Sequence, residues 1–150
     1  MISIFTKKTY NSSFKLIGSK EKVFEFHSCP KNLKHLTPSF IPLKIKSDNK
    51  MANNVIVFMK FMFFIPWEAK FQDIISGKQF TDIQIRGPFA FWKHKHSFID
   101  LEEHTIEIHD HIEFKLRKNP IYLLIGIIFA ITLPLMFRFR KNQLKKMFFL

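Results

Sequence analysis

The spacing of apolar and polar positions divides the chain into short segments of clear period. Along residues 8–17 mixed positions close on Phe14, Leu16 and Ile17 before Gly18-Ser19, which predicts a first strand. Ser19 is placed to cap a short helix over residues 20–27, where Val23, Phe26 and His27 form an i, i+3, i+4 stripe. Pro30 starts a second short helix that Thr37-Pro38 ends. From Pro42 onward the period is two. Residues 43–46 predict a strand, 47–50 a turn, and 53–65 a long run of Val, Ile, Phe and Met that Pro66 interrupts. Further strands are expected over 67–75, 79–86, 89–99 and 105–116, separated by Ser76-Gly77, Gly87-Pro88 and residues 100–104. Consecutive strands favour antiparallel pairing, so the chain reads as one α+β domain over residues 1–150.

The last segment admits two readings. Residues 121–137 carry no charge and are apolar on every side, with Gly126 and Pro134 inside. A bilayer span needs about 20 apolar residues, with roughly 17 as the lower edge. One reading is a buried helix lying across a curved sheet. The other is membrane insertion or surface association, for which Arg117-Lys118 before the segment and Arg138, Arg140, Lys141, Lys145 and Lys146 after it supply basic flanks.

Composition narrows the classes. A chain of 150 residues with 47% hydrophobic residues can bury a core without disulfides or structural metal. The formal charge of +12 is compatible with an anionic membrane surface. Nucleic acid is not the expected partner, because the excess is mostly lysine and no basic stretch is interleaved with stacking motifs. Cys29 is the lone cysteine, which excludes an internal disulfide framework and points to a reducing compartment. Residues 1–8 carry no apolar stretch of signal-peptide length, so a cytoplasmic protein is expected, membrane-associated if the C-terminal segment touches lipid.

Candidate chemistry gathers on two neighbouring strands. Alternation puts Trp92, His94, His96 and Phe98 on one face, and Ile106, Ile108, Asp110, Ile112 and Phe114 on the apolar face of the next strand. Closing the hairpin around residues 100–104 then sets Trp92 opposite Ile112, His94 opposite Asp110 and His96 opposite Ile108. A His and an Asp on an apolar face must satisfy each other or a ligand. They form a polar anchor or acid/base pair in a cavity, or a satisfied core hydrogen bond. His109 and His111 fall on the opposite face, so a four-histidine cage is ruled out by parity and no metal is expected. The Phe-rich run over 58–67 has two apolar faces, one of which can line a cavity, with Phe61, Phe63 and Trp67 as wall residues beside Trp92 and Phe98. There is no P-loop, dinucleotide glycine pattern or nucleophile elbow, and no cofactor is expected.

The residues Phe24-x-Phe26-His27-x-x-Pro30-x-Asn32-Leu33-x-x-Leu36-Thr37-Pro38 and Phe80-x-Asp82-x-Gln84-x-x-Gly87-Pro88-Phe89-x-x-Trp92-x-His94-x-His96-x-Phe98, with Asp110 and a final Arg140-x-x-Gln143-Leu144 run, resemble the SRPBCC (START/Bet v1-like) superfamily and its polyketide cyclase/dehydrase-like group. The resemblance implies a helix-grip fold, a curved antiparallel sheet of about six to seven strands wrapping a long C-terminal helix. It also implies a hydrophobic cavity for lipids, polyketides or other apolar molecules, and leaves activity open, because the superfamily holds carriers and enzymes. The leading expectation is a binding protein for a hydrophobic small molecule, with Phe61, Phe63, Trp67, Trp92 and Phe98 as walls and His94, His96 and Asp110 as polar anchors. The alternatives are a cyclase or dehydratase in which His94, assisted by Asp110, moves a proton, and a membrane-associated lipid-handling protein. Residues 121–137 are more apolar than the resemblance leads one to expect.

Overall fold

The computed structural model describes residues 3–46, 50–61 and 65–148. Its elements run β1 (Lys8–Ile17), α1 (Lys20–His27), a 3-10 helix (Pro30–Leu36), β2 (Leu43–Ile45), β3 (Ile56–Phe61), β4 (Ile65–Ile75), β5 (Gln79–Arg86), β6 (Phe89–Glu102), β7 (Thr105–Leu116) and α2 (Pro120–Met147). The strands form one antiparallel sheet in the order β1-β7-β6-β5-β4-β3-β2, which curves around α2. This is a helix-grip α+β fold.

Local chemistry explains the element boundaries. The Ser19 hydroxyl accepts from the Lys22 amide and starts α1, as the Ser-first pattern predicts. The Asn119 side chain accepts from the amides of Ile121 and Tyr122, and Pro120 occupies the first turn of α2, where a missing N–H costs nothing. At the β5–β6 corner the Gln84 side-chain amide donates to the Phe89 carbonyl at 2.8 Å and accepts from the Phe89 amide at 3.1 Å. A Cβ at Gly87 would collide with that Gln84 amide, so a side chain here would displace it.

Two sequence expectations are corrected. The run over 53–65 is two paired strands rather than one, and the break is not at Pro66: β3 ends at Phe61 and β4 starts at Ile65, with Pro66 as its second residue, opposite Lys60, at a strand start where its missing N–H is tolerated. The β6–β7 register is displaced by two residues from the expected one: Trp92 pairs with Phe114, His94 with Ile112 and His96 with Asp110. The hairpin closes tightly, with Glu102 opposite Thr105, His104 at φ 61° and a ladder irregularity between Asp100 and Glu102. An even displacement keeps every side chain on its expected face.

The core lies between the concave face of the sheet and the helices. Phe14, Leu16, Phe98 and Ile106 of the sheet pack with Val23 and Phe24 of α1, and Trp67, Phe89, Trp92 and Ile112 of the sheet pack with Leu133 and Phe137 of α2. Gly126 lets α2 approach the sheet closely, because a Cβ there would stand 2.9 Å from Leu116 Cδ2. The opposite face of α2 is uncovered: Ile121, Leu124, Ile128, Ile131 and Leu135 are all exposed, Ile131 at 73%. By length and composition this one helix could span a membrane.

Candidate functional site

A cavity of about 120 Å³ lies between the sheet, the 3-10 helix and α2. Trp67, Phe71, Phe80 and Trp92 from the sheet and Phe129 and Met136 from α2 give it aromatic and thioether walls. Asp82, His94, His96, His27 and Arg140 add polar groups to the same lining.

The polar cluster is built by alternation on three adjacent strands. Phe80 and Asp82 on β5 pair with His96 and His94 on β6, and His96 pairs with Asp110 on β7. His94 Nε2 donates to Asp110 Oδ1 at 2.8 Å, and His96 Nε2 donates to Asp82 Oδ2 at 2.8 Å. The remaining nitrogens also face carboxylates, His96 Nδ1 at 3.2 Å from Asp110 and His94 Nδ1 at 3.7 Å from Asp82. The two imidazoles lie against each other with centroids 3.6 Å apart and planes tilted by 31°, and Phe80 stacks on His96 at 4.1 Å.

This geometry divides the charges. Two rings in van der Waals contact resist carrying a proton each, so the one with two short carboxylate contacts takes it. Burial opposes charge on His96, yet its hydrogen bonds to Asp110 and Asp82 raise its pKa above the usual histidine value. Burial and the neighbouring His96 lower that of His94. Burial likewise pushes both carboxyls up, and the hydrogen bonds and charge of the histidines outweigh it and hold Asp82 and Asp110 below the usual carboxylate range. His27 donates from Nδ1 to the Val23 carbonyl at 2.7 Å, and burial, with a contribution from His96, pushes its pKa down to about 4.

Of the sequence candidates, Trp67, Trp92, His94 and His96 line the cavity. Phe98 is buried on the same face but packs against Phe24, His27 and Phe80. Asp110 stands behind the histidines. Phe63 lies outside the described residues, and of Phe61 only the backbone, paired with Leu43 and Ile65, is described. His109 and His111 face outward, beside Glu107 and Asn11. Sequence reasoning missed Asp82 and Arg140 as site residues. Extending the alternation of β6 into β5 would have found Asp82, and the 3.6-residue period of α2 would have found Arg140.

Asp82, His94 and His96 each offer one ligand atom, all within 4.8 Å of one another, a donor set suited to a divalent metal. The hydrogen bonds compete with that use, since His94 Nε2 and both nitrogens of His96 already lie 2.8–3.2 Å from Asp110 or Asp82.

No protein-family model matches the chain, and no curated protein sequence does. Solved structures do. A nucleoside-diphosphate sugar epimerase from Corynebacterium glutamicum superposes with a TM-score of 0.69 at 25% identity, over 91% of this chain and 28% of that one. Norcoclaurine synthase from Thalictrum flavum, in complex with dopamine and hydroxybenzaldehyde, superposes with a TM-score of 0.67 at 17% identity, over 95% of this chain and 86% of that one. The chain has an SRPBCC-type, Bet v1-like fold. A protein from Chromobacterium violaceum gives a TM-score of 0.73 at 13% identity, covering 94% of this SRPBCC-type chain and 97% of its own. The chain spans less than a third of the epimerase, so only the fold of the matched part is shared.

Proposed function

We propose that the protein binds a small hydrophobic molecule in the cavity between the sheet and α2. The observation that carries this reading is the cavity's composition: aromatic walls from Trp67, Phe71, Phe80, Trp92 and Phe129, with polar groups gathered among them. A cavity of about 150 Å³ suffices for a benzene-sized guest. The guest suited to this one is therefore a single ring or a branched chain of similar bulk, rather than a whole lipid tail.

Binding rather than turnover is the reading we adopt, because most of the histidines' hydrogen-bonding capacity is spent inside the cluster. His94 Nε2 and both nitrogens of His96 lie 2.8–3.2 Å from carboxylate oxygens, which leaves His94 Nδ1, 3.7 Å from Asp82 Oδ2, as the one ring nitrogen of the pair outside hydrogen-bond range of a carboxylate. Trp67 and Trp92 stand in edge contact, centroids 5.2 Å apart, and report on the cavity directly. Titration with small arenes is expected to change their fluorescence saturably, with Trp92→Phe removing part of the signal. An unchanged spectrum at millimolar arene would overturn the reading. His94→Asn is expected to leave affinity within about tenfold, whereas a catalyst would lose about a hundredfold or more in turnover.

A second reading concerns where the protein works. The exposed residues Ile121, Leu124, Ile128, Ile131 and Leu135 recur every three or four positions and form one stripe along α2. Exposed Arg138, Lys145 and Lys146 follow toward the C-terminal end. A helix gripped by the sheet on one side and apolar on the other suits the surface of an anionic bilayer, with α2 parallel to the membrane plane. Sedimentation with phosphatidylglycerol vesicles, but not with phosphatidylcholine vesicles, is the expected result. An Ile128→Gln, Ile131→Gln variant is expected to stay in the supernatant. Equal recovery of variant and wild type with the vesicles would remove this reading.

A further inference from the structure

Arg140 is out of place on its helix. The inward stripe of α2 buries Leu133, Met136, Phe137 and Leu144, and Arg140 falls on that stripe where an apolar residue would complete the pattern. It lines the cavity together with Phe129 and Met136. Its Nε is buried with no hydrogen-bond partner among the described residues, and its guanidinium lies 5.0 Å from the centroid of the Phe137 ring.

A buried donor without an acceptor is costly, and a charged one more so. Asp82 and Asp110 do not relieve it by hydrogen bonding. One oxygen of each, Asp82 Oδ2 and Asp110 Oδ1, is held by His96 and His94, and both carboxylates act on Arg140 by charge through space, with no hydrogen bond to it. Asp82 shares the cavity, but its Oδ2 is covered by the imidazoles at 2.8 and 3.7 Å. A guanidinium presents a planar fork of donors that matches a carboxylate, and it remains charged when buried. Beside the guanidinium the lining is aromatic, and the volume of about 120 Å³ suits one ring with a small head group. A compact monoanion fits this balance better than a phosphate, which would bring a second negative charge near Asp82. The formal charge of +12 further favours anion capture over long range.

Resting on the small-guest reading above, we propose that the guest is a small aryl or branched-alkyl carboxylic acid whose carboxylate is bound by Arg140, with its hydrocarbon part against Trp67, Trp92 and Phe80. Arg140 is then the residue that selects acids from neutral molecules of the same shape.

The test is calorimetry on the full chain at pH 7 with phenylacetate, its neutral isostere phenylacetamide, and toluene. Phenylacetate is expected to bind the wild type at least about tenfold more tightly than phenylacetamide, the usual effect of a charge-assisted hydrogen bond in a cavity. In Arg140→Met, phenylacetate is expected to fall to the level of the amide while toluene stays within about threefold of its wild-type affinity. Equal or tighter binding of the amide or of toluene by the wild type would overturn the carboxylate inference and leave the apolar cavity standing. Failure of all three compounds to bind would overturn the small-guest reading and the inference with it. The wild-type ratio of acid to amide needs no variant, so an Arg140→Met protein that does not fold leaves the test intact.

Discussion

His94 meets Asp110 on the diagonal of the β6–β7 ladder: Nε2 lies 2.8 Å from Oδ1, although His94 is paired with Ile112 and Asp110 with His96. The consequence is a shared carboxylate. Asp110 takes one hydrogen bond from its diagonal neighbour and a 3.2 Å contact from its direct one, while Asp82 on β5 holds the other side of the same two rings. Three strands are thereby pinned beneath the cavity by one buried cluster, which fixes the tautomer of His94 and the orientation of both rings.

Asp110→Asn should expose this dependence. The substitution keeps the shape and removes the charge, leaving His96 with one carboxylate where it had two. Breaking a buried, hydrogen-bonded charge pair costs about 3 kcal/mol, so urea unfolding at pH 7 is expected to show a loss of that order. The pKa of His96, followed by imidazole NMR, is expected to fall. A loss under about 1 kcal/mol with His96 titrating as before would contradict the shared-carboxylate arrangement.

The acid limb of stability should carry the mark of His27. Its folded pKa of about 4 lies below the ordinary histidine value of 6.5, so between those values the unfolded chain binds more protons than the folded one. Stability therefore rises with pH across this window and is lost as pH falls from about 6.5 to about 4. His94 acts in the same direction, and Asp82 and Asp110, whose folded pKa values are depressed, extend the loss below pH 4. His96 acts oppositely: its contribution is full below the ordinary histidine pKa and is lost as pH rises through its raised value. Unfolding free energies from urea titrations between pH 4 and pH 7 are expected to show a shallower pH dependence in His27→Gln than in the wild type, by about 3 kcal/mol. Parallel curves for the two proteins would show that His27 is not held neutral by the fold.

The faces of the strands were legible in the sequence, and their register was not. Alternation placed Trp92, His94, His96 and Phe98 inside and His109 and His111 outside, because a half-buried sheet leaves little freedom in parity. The two-residue displacement arose in the hairpin, where residues 100–104 contain no glycine to announce a tight turn and His104 takes the left-handed conformation itself. Asp82 was visible only inside a motif, since one carboxylate on a mostly polar strand carries no signal until β5 is laid beside β6. Arg140 was hidden in a basic run, where charge composition masks helical phase. The C-terminal segment was ambiguous for a related reason: α2 is apolar on both the face that grips the sheet and the face that does not, so periodicity alone could not separate them.

Gln84 and Gly87 should be energetically coupled. Gln84→Ala removes two hydrogen bonds that close the β5–β6 corner and is expected to cost about 1–2 kcal/mol. Gly87→Ala alone drives a methyl group into the Gln84 amide and should cost a similar amount by displacing it. In the double variant the methyl group has nothing left to displace. The sum of the single losses is therefore expected to exceed the double loss by about 1 kcal/mol or more. Strict additivity in chemical unfolding would show that the corner is held by other contacts.

Gly126 sets how closely α2 lies on the sheet, and through that the height of the cavity. Gly126→Ala adds a methyl group 2.9 Å from Leu116 Cδ2, the end of a side chain that can rotate, and gains about 1 kcal/mol in helix propensity. The two effects oppose each other, and stability should stay within about 1 kcal/mol of wild type. Gly126→Val adds branched bulk against Leu116 and against Phe89, whose Cε1 would lie 3.6 Å from the new Cβ, and should cost about 1–3 kcal/mol. Phe129, three residues along the same helix, lines the cavity, so a helix lifted at residue 126 carries that wall outward. Gly126→Val is therefore expected to weaken arene binding measured by Trp67 and Trp92 fluorescence, while Gly126→Ala leaves it nearly unchanged. Wild-type affinity in a destabilised Gly126→Val protein would separate helix seating from the cavity and place the binding walls in the sheet alone.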